Sequence, residues 1–123
     1  MDYNYLPNTK IKVSKICLGT MTWGRQNNQD EAFDQMNYSI DRGVNFFDTA
    51  ELYPVPASPD KYAITEEIIG NWFHKSKKRD KVILATKIAG PGDYTAHIRK
   101  SGFKGSSIED AVNGSLKRLK TDY

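Results

Sequence analysis

Three times between Ile16 and Lys120 a short apolar run is followed by an amphipathic helical pattern, and this alternation narrows the choice of fold most. The runs are Ile16 to Gly19, Val44 to Asp48 and Val82 to Thr86, short and bounded by polar or turn residues, as buried strands are. The first helical pattern spans Asp30 to Arg42. Ala32, Phe33, Met36 and Ile40 share one face, Asp30 and Glu31 occupy the first turn, and Gly43 stops it. The second opens at Thr65, read as the cap, with Glu66 and Glu67 in its first turn. Ile68, Ile69, Trp72 and Phe73 form its stripe, and Lys75, Lys77 and Lys78 close it. The third spans about Ser107 to Lys120, with Ser106 and Glu109 as a capping box and Ala111, Val112, Ser115, Leu116 and Leu119 facing inward. Strands alternating with helices imply an α/β fold with a parallel sheet and right-handed crossovers. Ahead of the alternation, residues 1–15 read as an N-terminal hairpin turning at Pro7-Asn8-Thr9.

Composition removes several classes of function. A chain of 123 residues allows one small domain, residues 1–123. No apolar run approaches the ~18 residues that read as a membrane span, and MDYNYLPNTK lacks the apolar centre of a secretory signal. The lone cysteine, Cys17, sits in an apolar run, so it is expected to be buried and inert. It fits a reducing, cytoplasmic location. The net charge of +3 comes from lysines interleaved with acids, a solvated surface rather than a nucleic-acid footprint. That charge is compatible with an anionic cofactor without requiring one. His74 and His97 stand alone, so no metal site is expected. The glycine-rich stretch Ile88 to Gly105 lacks the GK[ST] ending of a phosphate-binding loop. Its Arg99, Lys100 and Lys104 read as solvated, and His97 as a surface residue.

The chemistry concentrates around VNFFDTAELY, Val44 to Tyr53. The run ends on Asp48, and an unpaired carboxylate at the end of a buried strand is costly. Lys87 ends the next run, VILATK, so two neighbouring strands would finish on Asp48 and Lys87 with Tyr53 over them. A free phenol, with a pKa near ~10, is a poor acid at neutral pH. An adjacent ammonium stabilises its phenolate, and a carboxylate behind the lysine fixes that ammonium. The phenol is then suited to protonate a developing alkoxide. Spacing alone equally fits a helix entry at Asp48-Thr49, a surface turn at Tyr53 and a solvated Lys87. Gly19-Thr20-Met21 ends the first strand either as a close-approach site for a ligand or as a plain turn. Met21 and Trp23 either flank a ring or belong to the core. Three prolines in Pro54 to Pro59 exclude regular structure there, leaving a pocket wall or a connector.

GTMTWG (Gly19 to Gly24), DTAELY (Asp48 to Tyr53) and ATK (Ala85 to Lys87) resemble the first three strand ends of the aldo-keto reductase family. The YPVP continuation, the TEEIIGNW helix and the closing SLKRLKTDY are similar to its bacterial Tas-type NADP(H)-dependent branch, and the resemblance covers essentially the whole chain. It implies the N-terminal portion of a (β/α)₈ TIM barrel, a hairpin plugging the bottom followed by three β-α units. It also implies hydride transfer from NADPH to an aldehyde or ketone, a small-molecule carbonyl substrate, without metal, nucleic acid or membrane. The resemblance makes Tyr53 the proton donor, Lys87 its modulator and Asp48 the residue holding Lys87. It sets Gly19, Thr20, Met21 and Asp48 near the nicotinamide. The family's catalytic histidine belongs to a fourth strand beyond Tyr123, and His97 is not it. Three units are under half of a barrel of ~250 residues, so the chain is expected to be part of a longer protein. Alone it would expose a sheet edge and an apolar face, would be unstable, aggregate or associate with something that completes it, and would bind NADPH weakly or not at all. The alternatives are a non-catalytic cofactor-sensing or interaction subunit of the same fold, similar to channel-associated β subunits, and a plain α/β module whose resemblance is residual.

Overall fold

The computed structural model describes residues 1–100, 102–103 and 105–123, with the backbone only at Ser106. Lys104 and the Ser106 side chain, and hence the expected capping box, lie outside the described residues. The chain opens with the antiparallel hairpin β1 (Tyr3–Tyr5) and β2 (Lys12–Ser14). Asn45 ties this hairpin to the sheet, because its side-chain oxygen accepts from the Ser14 amide at 2.7 Å.

The main sheet is β3 (Cys17–Gly19), β4 (Phe46–Asp48) and β5 (Ile83–Ala85), parallel and in that spatial order. Its register aligns Leu18, Phe47 and Leu84 in one row, and Gly19, Asp48 and Ala85 in the next. Successive side chains point to opposite faces. The Leu18–Phe47–Leu84 row packs on a core that includes Trp23, Met36, Ile69, Trp72 and Phe73. On the opposite face Cys17 is exposed, and Phe46 and Ile83 beside it are only partly buried. The expectation of a buried thiol is therefore corrected by strand alternation. The partial burial that remains, followed by the Asp48 carboxylate, pushes the Cys17 thiol above its ordinary pKa, while Lys87 pulls the other way.

The helices are α1 (Gln29–Asp41), α2 (Ile64–Ser76) and α3 (Gly105–Leu119). Asn28 caps α1 and forms a reciprocal box with Glu31. Gly43 follows its end at φ +83°, a conformation that suits glycine. Thr65 is not the cap of α2. Ala63 at φ 59° precedes the helix, and Thr65 lies inside the first turn, where its hydroxyl donates to the Trp23 carbonyl at 2.7 Å. That bond locks the β3–α1 loop onto α2 and makes Trp23 a core residue rather than a ring-flanking one. Pro59 starts a short 3₁₀ turn through Lys61, regular structure that the proline content had argued against. Val112 is also corrected. It is exposed, lining an apolar groove of about 270 Å³ between β5 and α3 with Leu84, Ile88, Leu116, Leu119 and Tyr123.

Candidate active site

The register of the sheet brings the polar strand ends together. Gly19 and Asp48 are cross-strand neighbours, and Lys87 follows two residues after Ala85, the β5 partner of Asp48. The Lys87 ammonium donates to Asp48 Oδ2 at 2.7 Å and to the Thr49 carbonyl at 2.7 Å. It lies 5.0 Å from the centroid of the Tyr53 ring, within cation–π range. The Lys87 ammonium thus bonds the Asp48 carboxylate and lies against the Tyr53 ring. The pair remains open to solvent, with side-chain exposures of 49% for Lys87 and 40% for Asp48.

Thr20 is buried and its hydroxyl donates to the Asp48 carbonyl at 2.9 Å, so it supports the backbone that carries the carboxylate. Gly19 is exposed, and a Cβ added there would meet nothing within 4 Å, so the chain's own packing gives no reason for a glycine. Met21 is half exposed while its carbonyl accepts from Val55 N–H at 2.9 Å, joining the first two strand-end loops. The Tyr94 hydroxyl accepts from Ala57 N–H at 3.1 Å, which brings the glycine-rich stretch against the proline-rich loop. Thr49 is fully buried, and its hydroxyl has no hydrogen-bond partner among the described residues.

Beneath this shelf lies a second layer of charge that the sequence reading missed. Glu51 and Glu66 are both buried. Glu51 accepts from Ala89 N–H at 2.8 Å, from the Tyr62 hydroxyl at 3.1 Å and from Arg99 at 3.3 Å. Glu66 accepts from Thr86 and from Arg118, both at 2.7 Å. The Arg118 guanidinium also lies 5.4 Å from the Tyr62 ring centroid, so the clusters touch. Burial alone would lower the Arg118 pKa, but the bond to Glu66 and the surrounding negative charge raise it. Burial also raises the Tyr62 pKa, opposed by Arg118 and reinforced by Glu51. Arg99 is thereby corrected from solvated to paired, with its side chain 10% exposed. Glu66 carried a usable signal, because it stands three and seven residues before Ile69 and Phe73 and shares their face. Arg99 and Glu51, in loops, carried none. His97 is exposed and packs edge-on against Tyr62. Among the described residues no group of three or more His, Cys, Asp or Glu side chains is arranged to hold a metal ion.

Residues 15–123 match the family model described as "Aldo/keto reductase family". The chain belongs to the aldo/keto reductase family. It is 41% identical to "Protein tas" of Escherichia coli (strain K12), all of this chain aligning with 36% of that protein. It is also 41% identical to "Uncharacterized oxidoreductase YrpG" of Bacillus subtilis (strain 168), covering 38% of it. The solved aldo-keto reductase AKR11C1 from Bacillus halodurans, in its holo form, superposes with a TM-score of 0.74 at 28% identity. There the match covers the whole of this chain and 38% of that one. The chain therefore spans under two fifths of the length of these relatives, and its sheet is a partial α/β fold with no closed barrel.

Proposed function

We propose that the protein carrying this chain reduces aldehyde or ketone carbonyls with NADPH. One observation carries the reading: the Lys87 ammonium is bonded to Asp48 and lies against Tyr53, at parallel strand ends that remain open. In this reading Tyr53 donates the proton to the developing alkoxide, Lys87 stabilises the phenolate left behind, and Asp48 with the Thr49 carbonyl holds Lys87. A nicotinamide cofactor, when bound, would supply the hydride. The residues present suit such a group, since a Cβ at Gly19 would meet nothing within 4 Å and Met21 is half exposed. Gly19, Met21 and Asp48 would line the shelf and Thr20 would support it from below. Membership of the aldo/keto reductase family favours the same cofactor class. The cytoplasm is the proposed location, in keeping with a single cysteine, and among the described residues no helix is long and apolar enough to cross a membrane.

The test is NADPH-dependent carbonyl reduction by the full-length protein. Removing a positioned general acid typically costs ~10²–10⁴-fold, so Tyr53→Phe should lower kcat by that much while leaving the fold intact. An unchanged rate in Tyr53→Phe would sink the assignment. The 123-residue chain by itself is proposed to bind NADPH weakly or not at all, and a saturable fluorescence enhancement at micromolar protein would refute that.

A further inference from the structure

We infer that Glu51 is a positioning residue for the Tyr53–Lys87 pair, an inference that rests on the carbonyl-reductase reading above. Tyr53 and Lys87 sit on different segments, one on the loop after β4 and the other at the end of β5. Their separation depends on whatever joins those segments. Glu51 joins them twice. Its backbone N–H donates to the Lys87 carbonyl at 2.9 Å, and its carboxylate accepts from Ala89 N–H at 2.8 Å, two residues further along. Tyr53 is tied to the same turn, because its N–H donates to the Ala50 carbonyl at 3.1 Å. One residue therefore staples the backbone that carries the phenol to the backbone that carries the ammonium.

The carboxylate is itself held on its remaining sides. The Tyr62 hydroxyl and the Arg99 guanidinium both donate to it, and Arg99 also donates to the Ala89 carbonyl. Glu51 is 3% exposed, so this ionic contact is little screened. Arg99 belongs to the stretch between β5 and α3, so the charge also draws that stretch against the strand ends. Among the described residues the Glu51 carboxylate bonds Tyr62, Ala89 and Arg99 rather than Tyr53 or Lys87, so its influence on chemistry passes through the placement of those two side chains. A misplacement of about 1 Å can cost ~10²-fold in rate, so losing the carboxylate's tie to Ala89, the one that depends on the side chain, should register in turnover more than in binding.

The experiment compares wild type, Glu51→Ala and Glu51→Ala/Arg99→Met in the full-length protein, with turnover expressed per folded molecule and Tm recorded alongside. Glu51→Ala should lower kcat by ~10–100-fold with KM for NADPH little changed, and should lower Tm because Arg99 is left buried and unpaired. The double variant removes that orphaned charge, so Tm should recover while kcat stays low. If Glu51→Ala does not fold, Glu51→Leu/Arg99→Met, which removes the acceptor for Ala89 N–H without leaving a guanidinium enclosed, should show the same split between kcat and KM. Recovery of kcat together with Tm in the double variant would overturn the inference, as would a variant that keeps wild-type kcat per folded molecule. A wild-type protein without carbonyl reduction would remove the functional reading, and this inference with it. An active wild type whose Glu51 variants are equally active would remove this inference alone.

Discussion

Two ion pairs of the same chemistry sit within this chain and do different work. Lys87 with Asp48 and Arg118 with Glu66 each close at 2.7 Å. The first pair lies at the open strand ends with both side chains close to half exposed, and the second has Glu66 at 0% exposure between α2 and α3. Water solvates the first pair whether or not it is closed, so the pairing contributes only about 0–1 kcal/mol to stability. It leaves an ammonium and a phenol accessible to a ligand. The second pair gives up its water on folding, and either partner alone would be a buried unpaired charge. Burial, rather than distance or residue type, separates the pair suited to chemistry from the pair that holds helices together.

The largest effect that would sharpen this contrast is on turnover. Lys87→Met should abolish most carbonyl reduction by the full-length protein, at least ~10²-fold, while moving stability by about 1 kcal/mol or less. Parallel kinetics and chemical denaturation check it, and a large loss of stability would break the comparison from the Asp48 side. Next comes Arg118→Met, expected to cost about 3–5 kcal/mol because Glu66 is left charged and enclosed. Glu66→Leu/Arg118→Met should recover much of that loss, and activity per folded molecule should stay near wild type throughout. A mild Arg118→Met would mean that water reaches Glu66.

A smaller effect tests how tightly the buried pair's helices meet. A Cβ added at Gly70 of α2 would lie 2.0 Å from the Arg118 carbonyl oxygen on α3. Gly70→Ala should therefore cost about 1–3 kcal/mol as the helices separate, measured as a lower denaturation midpoint. The smallest effect is the pH dependence of Tyr62, which bridges the Glu51 and Glu66 clusters. Burial, with Glu51 beside it, favours the protonated phenol in the fold despite Arg118. A raised folded-state pKa stabilises fully below the ordinary tyrosine value of ~10 and is lost as pH climbs through the raised value. Wild-type stability should thus fall more steeply than that of Tyr62→Phe from the ordinary value of ~10 up to the raised one. Equal slopes would place Tyr62 in contact with solvent.

Much of the fold was legible because it rests on local rules. The hairpin, three strands and three helices follow from alternation, turn residues and helical periodicity, each confined to a few consecutive positions. Asp48 and Lys87 could be matched because both terminate apolar runs, and parallel neighbours bring such ends together. The cap of α2 was misread because Thr65 had a tertiary partner, the Trp23 carbonyl, that outweighed its local preference. Cys17 and Val112 were misread because apolar character does not tell which face of an element is covered.

What the sequence by itself determined is therefore the order of elements, the direction of the sheet and the identity of the residues at its polar end. Each depends on periodicity or on a residue's place within its own segment. Only the tertiary structure decided which charges are enclosed. Glu51 meets Arg99, and Glu66 meets Arg118, across 48 and 52 residues. Nothing in the local pattern of either partner selects the other. Desolvation favours a buried charge only when its counter-charge is brought to it, and the packing of α2, α3 and the β5–α3 stretch makes that choice.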